Sequence, residues 1–197
     1  HELRTPLALL SLELDRLDHD DAARLKNDVA SMRRLIDQLM LLAQIDAAAA
    51  AQTPLEPVPL TEIATQVVGA VAPGIIADAK TIELDTGDHP PIVNIRREAV
   101  AAALRNLIEN AARVTPVGGT IQVRVGPGAI LAVRDEGPGL TPDRLSDLVQ
   151  RHRRADHASK TGAGLGLAIV ERIMAAHGGT LTTDPTLHEL ALRFPEP

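Results

Sequence analysis

Ala103-Leu104-Arg105-Asn106-Leu107-Ile108-Glu109-Asn110-Ala111-Ala112-Arg113 forms the middle of a helix expected over residues 96–114, and its two stripes decide how the chain is read. Ala103, Leu104, Leu107, Ile108 and Ala111 recur at three- and four-residue spacing, giving an apolar face suited to packing on a sheet. Asn106, Asn110 and Arg113 recur at i, i+4 and i+7 and give a second, polar face. Asparagine is poorly suited to a helix interior, because its amide competes for backbone hydrogen bonds. Its carbonyl oxygen, however, is a hard ligand of the kind Mg²⁺ accepts while bridging nucleotide phosphates. A solvated helix face is the competing explanation at this point.

On either side of this helix the pattern is mixed. Thr61 to Ala72 is expected to be helical, with Thr61 as its cap, and Thr81 to Leu84 and Ile92 to Asn94 as short strands. Gly119 to Val125 and Ala129 to Arg134 form a hairpin pattern around Gly126-Pro127-Gly128. Leu165 to His177 reads as a helix stopped by Gly178-Gly179, and Thr180 to Thr183 with Leu187 to Phe194 as a second hairpin around Asp184-Pro185. Strands and helices alternate without a βαβ repeat, which predicts an α+β sandwich rather than a Rossmann sheet.

Two glycine-bearing segments punctuate this region. Asp135-Glu136-Gly137-Pro138-Gly139 follows a strand and has ordinary turn chemistry. Gly162-Ala163-Gly164-Leu165-Gly166-Leu167 runs straight into a helix, where glycines allow close approach of phosphates and the helix N-terminus favours anions. It lacks the preceding strand of a dinucleotide fingerprint and the Gly-Lys-Ser/Thr of a P-loop. Between the two, residues 141–161 are polar and charged and are expected to form a mobile lid.

Residues 1–50 have a different period. Leu3, Leu7, Leu10, Leu14 and Leu17 alternate spacings of four and three, and so do Leu25, Val29, Met32, Ile36, Leu39 and Ala43. These are the a and d positions of packed helices. The short polar link Asp18-His19-Asp20-Asp21 predicts an antiparallel hairpin. One hairpin leaves part of each seam wet, so dimerisation into a four-helix bundle is expected. With Leu3 at a d position, His1 and Thr5 fall one turn apart on the solvated face. Residues 51–58, with Pro54 and Pro57, read as a linker to a second domain over 59–197.

Composition narrows the function classes. The 197 residues are 45% hydrophobic, contain no Cys, and carry a formal net charge of −6. The acidic balance argues against nucleic acid as a partner, since phosphate backbones need clustered Lys and Arg. Phe194 is the only aromatic residue, which leaves nothing on which bases could stack. The absence of Cys rules out disulfides and thiolate metal sites. No run of about 18 consecutive apolar residues is present, so a membrane link is expected only through a segment upstream of His1.

His1-Glu2-Leu3-Arg4-Thr5-Pro6-Leu7 resembles the phosphoacceptor box of sensor histidine kinases, residue for residue. Asn106 to Ala111, continued through Thr115-Pro116, resembles the N box of the ATPase superfamily to which those kinases belong. The segments beginning at Asp135 and Gly162 resemble its two glycine boxes. Four boxes in the family's order cover essentially the whole chain. The resemblance implies a dimerisation and phosphotransfer hairpin (1–50) followed by a Bergerat-type ATP-binding sandwich (59–197). It further implies ATP and Mg²⁺ as cofactors, with Asn110 on the metal and Asn106 and Arg113 near the phosphates. Asp135 would accept the adenine amino group, Gly137 and Gly139 would shape its loop, and Gly162, Gly164, Leu165 and Gly166 would wrap the triphosphate. His1 would be the phosphoacceptor, Glu2 its general base, and Thr5 the residue that positions water for dephosphorylating a partner. That partner would be the receiver domain of a response regulator, and the chain the cytoplasmic part of a membrane-anchored sensor.

One box departs from the pattern. Where the family has an aromatic segment between the glycine boxes, this chain has Arg151-His152-Arg153-Arg154. Arg154 matches a family position that reaches the phosphates, but the aromatics that pin the lid are missing. This leaves open a degenerate kinase acting as a phosphatase or dimeric scaffold. A hydrolytic ATPase of the same superfamily is the other alternative. It would need an acidic base where Asn106 stands, and an amide cannot serve.

Overall fold

The computed structural model describes residues 54–87, 91–153 and 163–195, together with Leu25, Val29, Met32, Ile36, Met40, Ala43 and Ala47. The chain divides into two compact units, His1–Ala48 and Ala49–Pro197. In the first, all seven described residues are helical. Val29 is buried, whereas Leu25 and Met32 are 50% and 54% exposed. The expected antiparallel pairing and the residues of the first helix lie outside the described residues.

The second unit is built on a five-stranded mixed sheet. Its elements run β1 (Glu56–Pro59), α1 (Leu60–Ala77), β2 (Thr81–Asp85), β3 (Ile92–Ile95), α2 (Arg97–Val114), β4 (Thr120–Val125), β5 (Ile130–Arg134), α3 (Pro142–Arg153), α4 (Ala163–Ala176), β6 (Thr180–Asp184) and β7 (Glu189–Arg193). The strand order is β2-β4-β5-β7-β6, with β2 parallel to β4 and the other pairs antiparallel. Both expected hairpins form, and β7 inserts beside β5 to join them.

Alternation along the strands gives the sheet two unlike faces. Ile121, Val123 and Val125 on β4 and Leu131 and Val133 on β5 are buried, as are Leu190 and Leu192 on β7. Helices α1, α2 and α4 pack over the sheet as one layer. Across the outer face runs a polar row in which Glu83, Gln122, Arg134, Glu189 and Asp184 are successive cross-strand neighbours. Arg124 pairs there with Glu189 at 2.9 Å. Phe194 is buried just beyond β7, and its N–H donates to the Ala129 carbonyl at 2.8 Å.

Four expectations need correction. Glu56–Pro59, within the stretch read as linker, is a strand antiparallel to β3. Its prolines are tolerated because this small sheet has only two strands and therefore only edges. Helix α1 starts at Leu60 with Pro59 at its cap position, so Thr61 caps nothing, and it continues through Pro73 to Ala77. Buried Ile75 anchors that last turn to the core. Helix α1 is also long and apolar enough to cross a membrane by length and composition, with a mean hydropathy of 1.5. It carries Glu62 and Gln66, however, and it packs Leu60, Ile63, Ala64, Val67 and Ile75 against α2 and the sheet. Finally, residues 142–153 of the expected lid form a helix. Leu145, Leu148 and Val149 recur at i, i+3 and i+4, and burial of Leu145 and Val149 fixes α3 beside α4.

Helix α2 is held at both ends by distant residues. The Arg96 N–H at its cap position donates to Nε2 of His177 at 3.0 Å. The opposite nitrogen, Nδ1, must then carry the proton, which it donates to the Ile173 carbonyl at 2.7 Å. At the C-terminal end Lys80 Nζ donates to the Ala112 carbonyl at 2.5 Å, and the Thr115 hydroxyl to that of Ala111 at 2.8 Å. His177 is 5% exposed, and burial, aided by the nearby Arg96 charge, holds its pKa below the ordinary 6.5.

Between the folded and the ordinary value the unfolded chain binds more protons than the folded one. Stability is therefore expected to be complete above about pH 6.5 and to decline as acid charges the ring. Urea midpoints measured from about pH 8 to about pH 5 should show this decline. His177→Ala should remove much of it and cost about 1–3 kcal/mol at neutral pH, by orphaning the Arg96 N–H.

Candidate nucleotide-binding site

The polar stripe of α2 lies where the expected periodicity put it. Asn106 and Asn110 are half-buried and Arg113 is exposed. Asn106 Nδ2 donates to the Ala102 carbonyl at 2.9 Å, and Arg113 Nη1 donates to Asn110 Oδ1 at 3.3 Å. The amide oxygen of Asn110 thus already accepts from the positively charged guanidinium of Arg113. Among the described residues no group of three or more His, Cys, Asp or Glu is placed to hold a metal. A donor set of one neutral amide oxygen suits a Mg²⁺ ion that brings waters and phosphate oxygens of its own.

The Asp135–Gly139 loop emerges from the end of β5 and meets the end of α2. A Cβ on Gly137 would lie 2.6 Å from Val114 Cγ2 and 2.8 Å from Asp135 Oδ1, so the contact requires glycine. The Gly137 N–H donates to Asp135 Oδ1 at 2.7 Å. Burial raises the Asp135 pKa above the ordinary 3.8, while the Gly137 hydrogen bond and the charge of His188 oppose that rise. Gly139 has a φ of +72°, in the left-handed region that glycine enters without steric cost. The structure thus brings Asp135 and Gly137 against the C-terminal turn of the helix that carries Asn106, Asn110 and Arg113.

The remaining expected residues divide into two groups. Gly164, Leu165 and Gly166 fall in the first turn of α4, which packs along α2. His1, Glu2, Thr5, Arg154 and Gly162 lie outside the described residues. Sequence reading missed Glu136, whose Oε1 accepts the Thr120 N–H at 2.9 Å and ties the loop to the start of β4. Nothing in its spacing distinguishes it from a solvated turn residue. A cavity of about 840 Å³ lies on the outer sheet face, lined by Glu83, Asp85, Arg124, Arg134 and Glu189 among others. It contains none of the expected site residues.

A mixed sheet covered on one face by helices, with an asparagine-bearing helix ending against an Asp-Glu-Gly-Pro-Gly loop, defines an ATP-binding domain of the Bergerat class. Residues 96–194 match the family described as histidine kinase-, DNA gyrase B-, and HSP90-like ATPase, and the chain belongs to that family. It is 32% identical over 191 residues to the sensor protein QseC of Escherichia coli, a match covering 90% of this chain and 41% of that protein. It is 33% identical over 204 residues to the sensor histidine kinase TrcS of Mycobacterium tuberculosis, covering 93% and 39%. The solved structure of the mycobacterial sensor histidine kinase MprB superposes with a TM-score of 0.55 at 31% identity, over 70% of this chain and 93% of that one. The chain therefore spans well under half the length of the curated relatives it matches.

Proposed function

We propose that the chain is the kinase core of a sensor histidine kinase, phosphorylating its own His1 from ATP and passing the phosphoryl group to an aspartate on a response-regulator receiver domain. Contact between the Asp135 loop and the asparagine-bearing end of α2 is the observation that carries this reading. Asp135 accepts the adenine amino group, which selects against guanine because its six-position oxygen would meet an acceptor. Asn110, with Asn106 and Arg113 beside it, receives the Mg²⁺ and phosphates, and Gly162, Gly164, Leu165 and Gly166 bring backbone amides to the triphosphate. Arg154 adds positive charge from the lid. Asn110 would hold the Mg²⁺, which when bound would supply positive charge to offset the charge developing on the phosphates.

An imidazole nitrogen of His1 forms a bond to the γ-phosphorus as the bond to the β,γ-bridging oxygen breaks, and ADP leaves. Glu2 takes the proton from the other ring nitrogen. Phosphoryl transfer of this kind asks the protein mainly for positioning and charge neutralisation. Thr5, four residues after His1 in the sequence, holds the water that hydrolyses the regulator's acyl phosphate. Residues 1–50 provide the dimer. Exposed Leu25 and Met32, which lie on the expected heptad stripe, support a seam covered by a second copy. The ATP-binding domain takes in β1 and so begins at Glu56. The whole protein would be a membrane-anchored sensor whose cytoplasmic part contains this chain.

Incubation with γ-labelled ATP and Mg²⁺ tests the proposal, and acid-labile, base-stable label on the protein is the expected result. Nucleotide binding without label would favour the phosphatase or scaffold, the reading suggested by the missing aromatics at 151–154. Absence of nucleotide binding would overturn the kinase and mean that the substituted lid has cost the site its nucleotide.

A further inference from the structure

The end of β6 and the turn that follows it hold the Asp135 loop at three points, although nothing in the sequence marks them as part of the site. The Asp135 N–H donates to the His188 carbonyl at 3.1 Å. Gly139 comes so close that a Cβ there would lie 3.2 Å from the Pro185 carbonyl oxygen and 3.5 Å from Cδ2 of the His188 ring. The Thr183 hydroxyl donates to the Leu140 carbonyl at 2.7 Å, with the Glu189 carbonyl 3.2 Å away.

The turn is itself braced. Asp184 Oδ1 accepts the Thr186 N–H at 2.9 Å, the Thr186 hydroxyl at 2.6 Å and the Leu187 N–H at 3.2 Å. His188 has a φ of +52°, a conformation that residues with a Cβ keep only where surrounding contacts enforce it. That strained residue supplies both the carbonyl on Asp135 and the ring against Gly139. Its charge also bears on the Asp135 carboxyl, countering the effect of burial.

We propose that Thr183 to His188 form a clamp that sets the position of the Asp135–Leu140 loop for adenine, with Thr183 and His188 as positioning residues. The inference rests on the reading of Asp135 as the adenine acceptor. The Asp135–His188 bond extends the β5–β7 register one step past Arg134 and Glu189, and beyond it the loop depends on Thr183 and on packing against the turn, so altering these loosens the loop while the sheet beneath it stays intact.

Thr183→Val removes the hydroxyl at nearly constant volume, and Thr183→Ser keeps it. His188→Val places a branched side chain at positive φ, whereas His188→Gly keeps the backbone and removes only the ring. Two readouts apply to variants whose far-ultraviolet circular dichroism matches wild type. These are amide hydrogen exchange at residues 135–140 without nucleotide, and ADP affinity by titration calorimetry. Thr183→Val and His188→Val are expected to speed exchange and weaken ADP by about tenfold each, with Thr183→Ser near wild type and His188→Gly in between. Wild-type exchange and affinity in Thr183→Val would overturn the clamp, and so would faster exchange with unchanged ADP affinity. A wild-type chain that binds no ADP would instead bring down the adenine reading. In that case the exchange data would still show whether the turn holds the loop.

Discussion

Replacing His1 with alanine is expected to abolish base-stable labelling from γ-labelled ATP while leaving nucleotide affinity unchanged. The family match spans residues 96–194 and excludes His1, so the acceptor and the binding site are separable in sequence. His177 and His188 are poor substitutes for it. Nδ1 and Nε2 of His177 are both engaged and the ring is buried. His188 occupies a strained turn. A nucleophile needs a free, unprotonated ring nitrogen that can approach phosphorus in line. Label persisting in His1→Ala would move the acceptor elsewhere and sink the proposed role of the opening heptapeptide.

Asp135→Asn is expected to weaken ATP and ADP binding by roughly 10- to 100-fold, the loss of a charge-assisted hydrogen bond plus a newly unpaired group. The replacement is isosteric, which makes the chemistry legible. The Gly137 N–H, 2.7 Å from Oδ1, requires an acceptor and so fixes the orientation of the new amide. Its NH₂ then faces the site, donor against the adenine amino donor. Stability should move the other way or not at all. Burial raises the Asp135 pKa, so the ionised carboxylate disfavours the folded state at neutral pH, and a neutral amide removes that cost. Titration calorimetry paired with thermal unfolding would separate the two effects. Equal loss of affinity and stability would mean that Asp135 serves the loop rather than the nucleotide. By the same logic, acidification should weaken binding in wild type as Asp135 takes up a proton, at a pH above the ordinary 3.8.

Much of this site could be read before any coordinates because its parts are local. The asparagine stripe needs only a helical period, and the end of β5 announces the Asp135 loop through Gly137 and Gly139. Both hairpins follow from short apolar runs bounded by Gly and Pro. What escaped was set by partners far along the chain. Thr183 and Leu140 are 43 residues apart, and no spacing rule links a threonine in one hairpin to a carbonyl in another loop. Pro57 marked β1 as linker because a proline-bearing strand is viable only beside a partner such as β3, which sequence could not supply. Charges hid α3, since among its residues of described burial only Leu145 and Val149 are buried, with Leu148 half-buried beside them. Pro73 hid the end of α1, which Ile75 holds in place from within the core.

The buried Phe194, alone among aromatic side chains, leaves this protein optically almost blank. It contains no tryptophan or tyrosine whose emission could mask a probe. Val117 is 78% exposed, in the turn that joins the end of α2 to β4 and close in sequence to Val114, which touches the Asp135 loop. A single indole placed at Val117 would be the only group in the chain excited at wavelengths beyond the absorption of Phe194, so any change in its emission on adding nucleotide would report that corner of the fold against a dark background.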